Sequence, residues 1–206
     1  MIKRAFDLAA SAIGLLMLAP LFAVIAILIK GDTAGPVFFR QERVGRHGVP
    51  FRILKFRTMR IDVEPRRQIT VGQDPRITRV GSVLRRYKLD ELPQLVNVVR
   101  GEMSLVGPRP EVPCYVAAYP EDVRRIVLSL APGITDWASI YFRDESAILG
   151  RAGNPDAAYI NEVLPVKLAY YVRYARERTF MTDLKIIFLT LAAICGLDRR
   201  MSHPER

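Results

Sequence analysis

Cysteine, histidine and tryptophan are scarce in this 206-residue chain, at two, two and one. Cys114, Cys195, His47 and His203 are scattered, so there is no zinc-ligand spacing and no disulfide framework. Both cysteines are expected to be reduced packing residues, as in a cytoplasmic compartment. His47 is expected in an exposed turn. Internal repeats and low-complexity tracts are also missing. Acid is the scarcer charge, 21 residues against 31 basic ones, for a formal net charge of +10. The imbalance is local: Arg40 to Arg109 holds 16 Lys and Arg but 7 Asp and Glu. A positive field there suits phosphate-rich substrates, anionic lipid headgroups or nucleic acid.

Apolar residues are abundant, at half of the chain, and many sit in one block. Leu8 to Ile29 is 22 residues without a charge. As a helix it would be about 33 Å long, enough to cross a hydrocarbon core of about 30 Å. Hydropathy alone reads as a spanning anchor. A cleaved signal peptide would have an unusually long apolar core. Pro20, near the middle, removes a backbone bond and bends the helix. Lys3 and Arg4 precede the block; Lys30 and the Arg40, Arg43, Arg46 group follow it. The positive-inside tendency puts both flanks on the cytoplasmic side. A kinked re-entrant helix satisfies that and a straight span does not. The expected division is residues 1–30 in the membrane and 31–206 as a cytoplasmic domain on the membrane face. The length suits one domain with a real core.

Beyond the block, Pro36 to Arg43 and Val49 to Arg57 flank Gly45-Arg46-His47-Gly48, which reads as a β-hairpin. The second strand runs into Lys55-Phe56-Arg57-Thr58-Met59. Its alternating cations either line a phosphate-binding surface or form a solvated face. Ile61 to Asp74 reads as a mobile loop. Gly81-Ser82 is expected to cap a helix from Val83 to about Tyr87, on which Arg85 and Arg86 are adjacent, so that only one of them can face the acids that follow. An amphipathic helix is expected from Glu121. Another runs from Ala157 to Glu177, interrupted at Pro165, with Tyr159, Tyr170, Tyr171 and Tyr174 suiting a core or a wet interface. Thr182 to Ile194 is apolar over most of its circumference and too short to span, hence buried or lying on the membrane. DRRMSHPER reads as a disordered tail. The fold class is α+β, mostly helical: an N-terminal kinked re-entrant membrane helix, a small β-hairpin and amphipathic interface helices.

The most informative stretch is Lys88 to Pro110, KLDELPQLVNVVRGEMSLVGPRP. Asp90 and Glu91 are adjacent and follow Arg85, Arg86 and Lys88. LPQLVNVV reads as one helix with apolar Leu92, Leu95, Val96 and Val99 and with Pro93 in its first turn. The acids would sit at its N-terminus, where the dipole favours their ionised forms. Gly107-Pro108-Arg109-Pro110 presents Arg109 from a stiff support. One reading is a capped surface helix and a turn. The other is a carboxylate nucleophile beside a metal-binding carboxylate, with arginines for phosphate oxygens.

LDELPQL followed by MSLVGPRP resembles the signature of bacterial sugar transferases, the monotopic phosphoglycosyl transferases. GPVFFRQERVGRHGVPFRILKFRTM and PGIT at Pro132 to Thr135 are similar to the same family. The likeness covers roughly Met1 to Ala138. It implies the re-entrant shape, although Ala19 replaces the serine common before the proline. It also implies a reaction: Asp90 attacks the β-phosphorus of a UDP-sugar, UMP leaves, and undecaprenyl phosphate in the inner leaflet takes the sugar 1-phosphate. Asp90 and Glu91 are then catalytic, Glu91 holds Mg²⁺, and Arg109, Arg85, Lys55 and Arg57 bind substrate. The implied location is the bacterial inner membrane, with the catalytic domain facing the cytoplasm. After Trp137 the family usually reads GWAQVNGRN and this chain reads DWASIYFRDE, keeping Arg143. If this loop touches the nucleotide or sugar, the sugar preference of relatives does not carry over.

Two other classes compete. A non-catalytic peripheral protein binding anionic lipid needs the cations but not Asp90. A nucleic-acid-binding protein fits the charge, but the apolar block and the lack of a recognition motif speak against nucleic acid as a partner. A homo-oligomer is compatible with the sequence.

Overall fold

The computed structural model describes residues 2–61, 74–141, 149–150 and 152–194. The expected loop from Ile61 to Asp74, apart from its two ends, lies outside these residues, as do Arg143, the DRRMSHPER tail, Cys195 and His203.

The apolar block becomes helix α1, Ile2–Asp32, with Pro20 inside it. It is the one described helix long and apolar enough to cross a membrane by length and composition. One stripe faces the rest of the protein: Asp7, Ser11, Ile25 and Ile29 are buried, and Leu95 lies against Gly14. Polar groups tie down both ends. Arg4 donates to the carbonyls of Val98 at 2.6 Å and Val99 at 3.2 Å. Lys3 pairs with Asp183 at 2.6 Å, and Asp7 accepts from the Ser104 hydroxyl at 2.8 Å. At the other end Asp32 accepts from Val80 N at 3.0 Å. The outward stripe is apolar and exposed, including Ile13, Leu16, Met17, Val24 and Ile27.

The hairpin forms as expected, β1 Phe38–Val44 antiparallel to β2 Pro50–Phe56, in register from Phe38 opposite Phe56 to Val44 opposite Pro50. His47 is exposed in the connection at φ 59°. Helix α2, Arg79–Arg86, starts earlier than expected. Thr78 caps it, its hydroxyl accepting from Gly81 N at 2.9 Å. Gly81 is instead packed on the Thr58 carbonyl, where a Cβ would come within 2.1 Å of the oxygen.

The acids precede α3 by a turn. A 3₁₀ turn, Leu89–Glu91, leads to α3, Gln94–Arg100. The buried face of α3 carries Gln94, Asn97 and Val98, whereas the apolar positions read from sequence are half-buried. Asn97 explains the inversion: it accepts from Leu54 N at 3.0 Å and donates to Arg52 O at 2.9 Å, binding α3 to β2. Burial of a polar side chain is tolerated when its hydrogen bonds are met.

A second sheet went unread in the sequence: β3 Ser104–Val106 runs parallel to β4 Gly133–Thr135. Three-residue strands carry too little alternation to be seen. Helices α4, Pro113–Val116, and α5, Glu121–Leu128, make the crossover. Then come α6, Trp137–Tyr141, α7, Pro155–Ala158, a π-turn at Tyr159–Val163, α8, Leu164–Glu177, and α9, Phe180–Ile194. Tyr159, Tyr171 and Tyr174 are core residues. Cys114 is exposed on α4, not a packing residue. α9 buries Ile186 and Ala193 but exposes Met181, Phe188 and Leu191, so only one side of it is covered.

Gly107 and Gly133 touch where the sheet meets the GPRP loop. A Cβ on Gly133 would lie 2.1 Å from Gly107 N. Gly133→Ala must push the two strands apart. The expected cost is about 2 kcal/mol or more, a fall of about 5 °C in melting temperature, read by thermal unfolding in detergent.

Candidate active site

Four segments bring their side chains to one place: β2, the 3₁₀ turn, α2 and the GPRP loop. The turn is set by Lys88, whose left-handed backbone (φ 56°, ψ 20°) reverses the chain after α2. That conformation costs a non-glycine residue about 1 kcal/mol or more. It turns Asp90 inward, to 9% exposure.

Glu91 is the hub. Lys55 Nζ donates to its Oε1 at 2.8 Å. Arg109 grips it with both terminal nitrogens, Nη1 to Oε2 at 3.2 Å and Nη2 to Oε1. Burial opposes ionisation of Glu91, but Arg109 and Lys55 outweigh it and hold the carboxyl well below its ordinary range. Glu91 in return raises Arg109 well above the ordinary arginine value. Lys55 is pushed down by burial, against the pull of Glu91.

Asp90 has the opposite fate. Burial first, then the adjacent Glu91, raise its carboxyl above the ordinary value, against Lys55, Arg85 and Lys88. Its Oδ1 is buried and has no hydrogen-bond partner among the described residues. An unsatisfied buried carboxylate oxygen is costly, and such costs cluster where chemistry needs them. The environment thus separates two neighbouring carboxylates, one neutralised and one left open.

Arg85 is half-buried and makes no ion pair among the described residues, while its charge acts on Asp90. Arg86 is exposed, over the Tyr87 ring. Arg57 is not brought to the acids. β2 ends at Phe56, so Arg57 leaves the alternation that Lys55 obeys. Its guanidinium donates to the carbonyls of Thr33, at 2.7 Å, and Ala34, beyond the last turn of α1. Those carbonyls lack helical partners and need donors. Arg57, expected on a phosphate surface, has its guanidinium engaged by these two carbonyls in this structure.

The expected placing of Mg²⁺ on Glu91 also meets a difficulty. Both Glu91 oxygens are engaged by cations, and no cluster of three His, Cys, Asp or Glu exists among the described residues. The carboxylate oxygen left without a partner among the described residues is the buried Asp90 Oδ1.

Two further groups were missed in the sequence. Asp136 is buried behind this site, with Arg109 among the charges acting on it. It accepts from Ser139 N at 3.0 Å and Ser139 Oγ at 2.5 Å. An Asp three residues before Ser at a helix start is a readable cap signal, hidden inside the divergent DWAS. The other group, around Glu111, Tyr159 and Lys167, carries no local signal at all.

Comparison with known proteins adds an independent finding. Residues 1–196 match the family described as bacterial sugar transferase. The chain is 37% identical over 195 residues to the UDP-glucose:undecaprenyl-phosphate glucose-1-phosphate transferase of Escherichia coli (strain K12), covering 93% of this chain and 39% of that protein. It is 43% identical over 199 residues to the undecaprenyl-phosphate glucose phosphotransferase of Komagataeibacter xylinus, covering 92% and 35%. It is 37% identical over 199 residues to the UDP-N-acetylgalactosamine-undecaprenyl-phosphate N-acetylgalactosaminephosphotransferase of Aeromonas hydrophila, covering 94% and 43%. The chain therefore spans less than half the length of these three relatives.

Proposed function

Because the chain belongs to the bacterial sugar transferase family, we propose that it transfers a sugar 1-phosphate from a UDP-sugar to undecaprenyl phosphate through Asp90. The supporting observation is the split pair: Asp90 buried with an open oxygen, beside a Glu91 neutralised by Lys55 and Arg109. An Asp90 oxygen bonds to the β-phosphorus, the bridging oxygen keeps its electron pair, and UMP leaves. A phosphate oxygen of undecaprenyl phosphate then displaces Asp90. The carrier departs as undecaprenyl diphosphosugar and the carboxylate is regenerated. Arg109, with its planar fork, suits two phosphoryl oxygens, and Arg85 and Lys55 add charge beside them. Arg109 would exchange part of its grip on Glu91 for phosphate. Of the proposed substrate-binding set, Arg57 serves by holding the end of α1.

Mg²⁺ fits this donor set if Asp90 Oδ1 is its carboxylate ligand and substrate phosphates and water supply the rest, the usual way the ion is held. It would neutralise diphosphate charge and improve UMP as a leaving group. Glu91 could join only after releasing a cation.

The same reading puts α1 in the bacterial inner membrane with both ends on the cytoplasmic side. Both ends are bound to one folded body, Lys3 and Arg4 to α9 and α3, and Asp32 to α2. A straight span would separate them by about 46 Å along the axis. With Cys114 and Cys195 replaced, single cysteines at positions 3 and 30 should both react with an impermeant thiol reagent only when it reaches the cytoplasmic face. Labelling of the two from opposite faces would establish a span.

The deciding experiment incubates the detergent-solubilised protein with undecaprenyl phosphate, Mg²⁺ and a panel of UDP-sugars. UMP and a lipid-linked diphosphosugar should appear together with at least one donor, and chelation should stop both. No UMP from any donor would refute the function.

A further inference from the structure

A buried polar cluster lies beyond Arg109, in a core otherwise built from residues such as Tyr115, Val116, Leu168 and Tyr171. Glu111, Tyr159 and Lys167 are 6%, 2% and 3% exposed. The Tyr159 hydroxyl donates to Glu111 Oε1 at 2.5 Å. Lys167 Nζ donates to that hydroxyl at 3.3 Å and stands 4.0 Å from the same carboxylate oxygen. Arg43 Nη1 lies 3.7 Å from the other oxygen. Buried ion pairs are a poor source of stability, since apolar residues of equal volume often serve as well. The cluster is better explained by what it holds in place.

Glu111 is two residues from Arg109, with Pro110 limiting rotation between them. Its carbonyl accepts from Val44 N at 3.0 Å, and the Pro110 carbonyl accepts from Arg43 Nη1 at 3.0 Å. On the other side of Arg109, Pro108 O accepts from Gly133 N at 2.9 Å. The loop backbone is thus pinned to β1 and β4, while the Glu111 side chain ties it to the π-turn and α8. The π-turn makes that tie possible. Residues eight apart in an unbroken α-helix lie about 80° apart around the axis. One residue absorbed by a π-turn brings them to within about 20°. Tyr159 and Lys167 span such a turn and meet at one carboxylate.

We infer that Glu111, Tyr159 and Lys167 are positioning residues for Arg109, fixing its loop so that the guanidinium fork meets phosphoryl oxygens in register. The kinetic reading of this inference rests on the proposed function; its structural reading does not.

Tyr159→Phe is the gentlest test, since it removes one oxygen and keeps the ring packed at 4.7 Å from that of Tyr115. Misplacing a binding group by about 1 Å costs on the order of 100-fold in rate. We expect kcat to fall about 10- to 100-fold, with KM for the UDP-sugar within about three-fold and little change in melting temperature. In Tyr159→Phe/Arg109→Lys the loss should be no greater than in Arg109→Lys alone. Lys167→Arg should retain more activity than Lys167→Met. Independently of activity, the amides of Gly107, Arg109 and Glu111 should exchange hydrogen faster in Tyr159→Phe. Unchanged kcat, losses that multiply with Arg109→Lys, or unchanged exchange would each overturn the assignment. If the wild-type protein releases no UMP, the proposed function fails and the exchange result alone judges this one.

Discussion

Asp90→Asn should abolish UMP release, by on the order of 10⁴-fold or more, while leaving the protein folded with a melting temperature equal to or above that of the wild type. The rate follows from the role: an amide has no anionic oxygen to bond to phosphorus. The stability follows from the site. Burial and the neighbouring Glu91 raise the Asp90 carboxyl above its ordinary value. The folded state therefore binds that proton more tightly than the unfolded chain does. As pH rises past the unfolded value of about 3.9, ionising Asp90 subtracts stability. At neutral pH the variant is free of that penalty and of the unpartnered Oδ1 charge. In the wild type the acid limb of kcat/KM should lie above the ordinary aspartate range, because Asp90 must ionise to react. A turnover assay and a melting curve on the same preparation check both halves. An active Asp90→Asn protein would eliminate the covalent route.

Glu91→Gln should lower activity at least about 100-fold and, unlike Asp90→Asn, should also destabilise. Lys55 and Arg109 would keep their partly buried charges and lose the carboxylate between them, a loss of about 3–5 kcal/mol when one partner of a buried pair is removed. The pH dependence has the opposite sense. Arg109 and Lys55 hold Glu91 well below its ordinary range. Its contribution is fully present above the unfolded value of about 4.3 and is lost as pH falls toward the folded value. The stability gap between wild type and Glu91→Gln should therefore be widest near neutrality and shrink below about pH 4. Chemical denaturation at pH 7 and at pH 3.5 measures it. A gap independent of pH would mean that Glu91 is not the anchor of the two cations.

Local patterns exposed much of this in advance. The hairpin followed from two β-rich runs around a glycine-bounded turn. Helical adjacency allowed only one of Arg85 and Arg86 to face the acids, the family likeness singled out Arg85, and α5 followed from the proline before Glu121. The errors were equally physical. α2 starts at Arg79 because Thr78 caps it, and Gly81 lies inside it, packed on Thr58 rather than capping. The family likeness of KFRTM placed Arg57 with Lys55 at the site, but β2 ends at Phe56, so Arg57 leaves the strand alternation that Lys55 obeys. The buried face of α3 carries Asn97 and Gln94 beside Val98, because Asn97 bonds to the backbone of β2. Glu111, Tyr159 and Lys167 gave no signal, since their partners lie 48 and 8 residues apart and the second pairing depends on a π-turn.

The sequence by itself determined the family, the adjacency of Asp90 and Glu91, the stiff presentation of Arg109 and the apolar block that makes α1. These are covalent neighbours or short-range periodicities, fixed before the chain folds. Only the tertiary structure decided which acid is left open and which is neutralised. Lys55 and Arg109 reach Glu91 across 36 and 18 residues, and the ionisation of a buried carboxylate depends on charges within a few ångströms, whatever their distance along the chain.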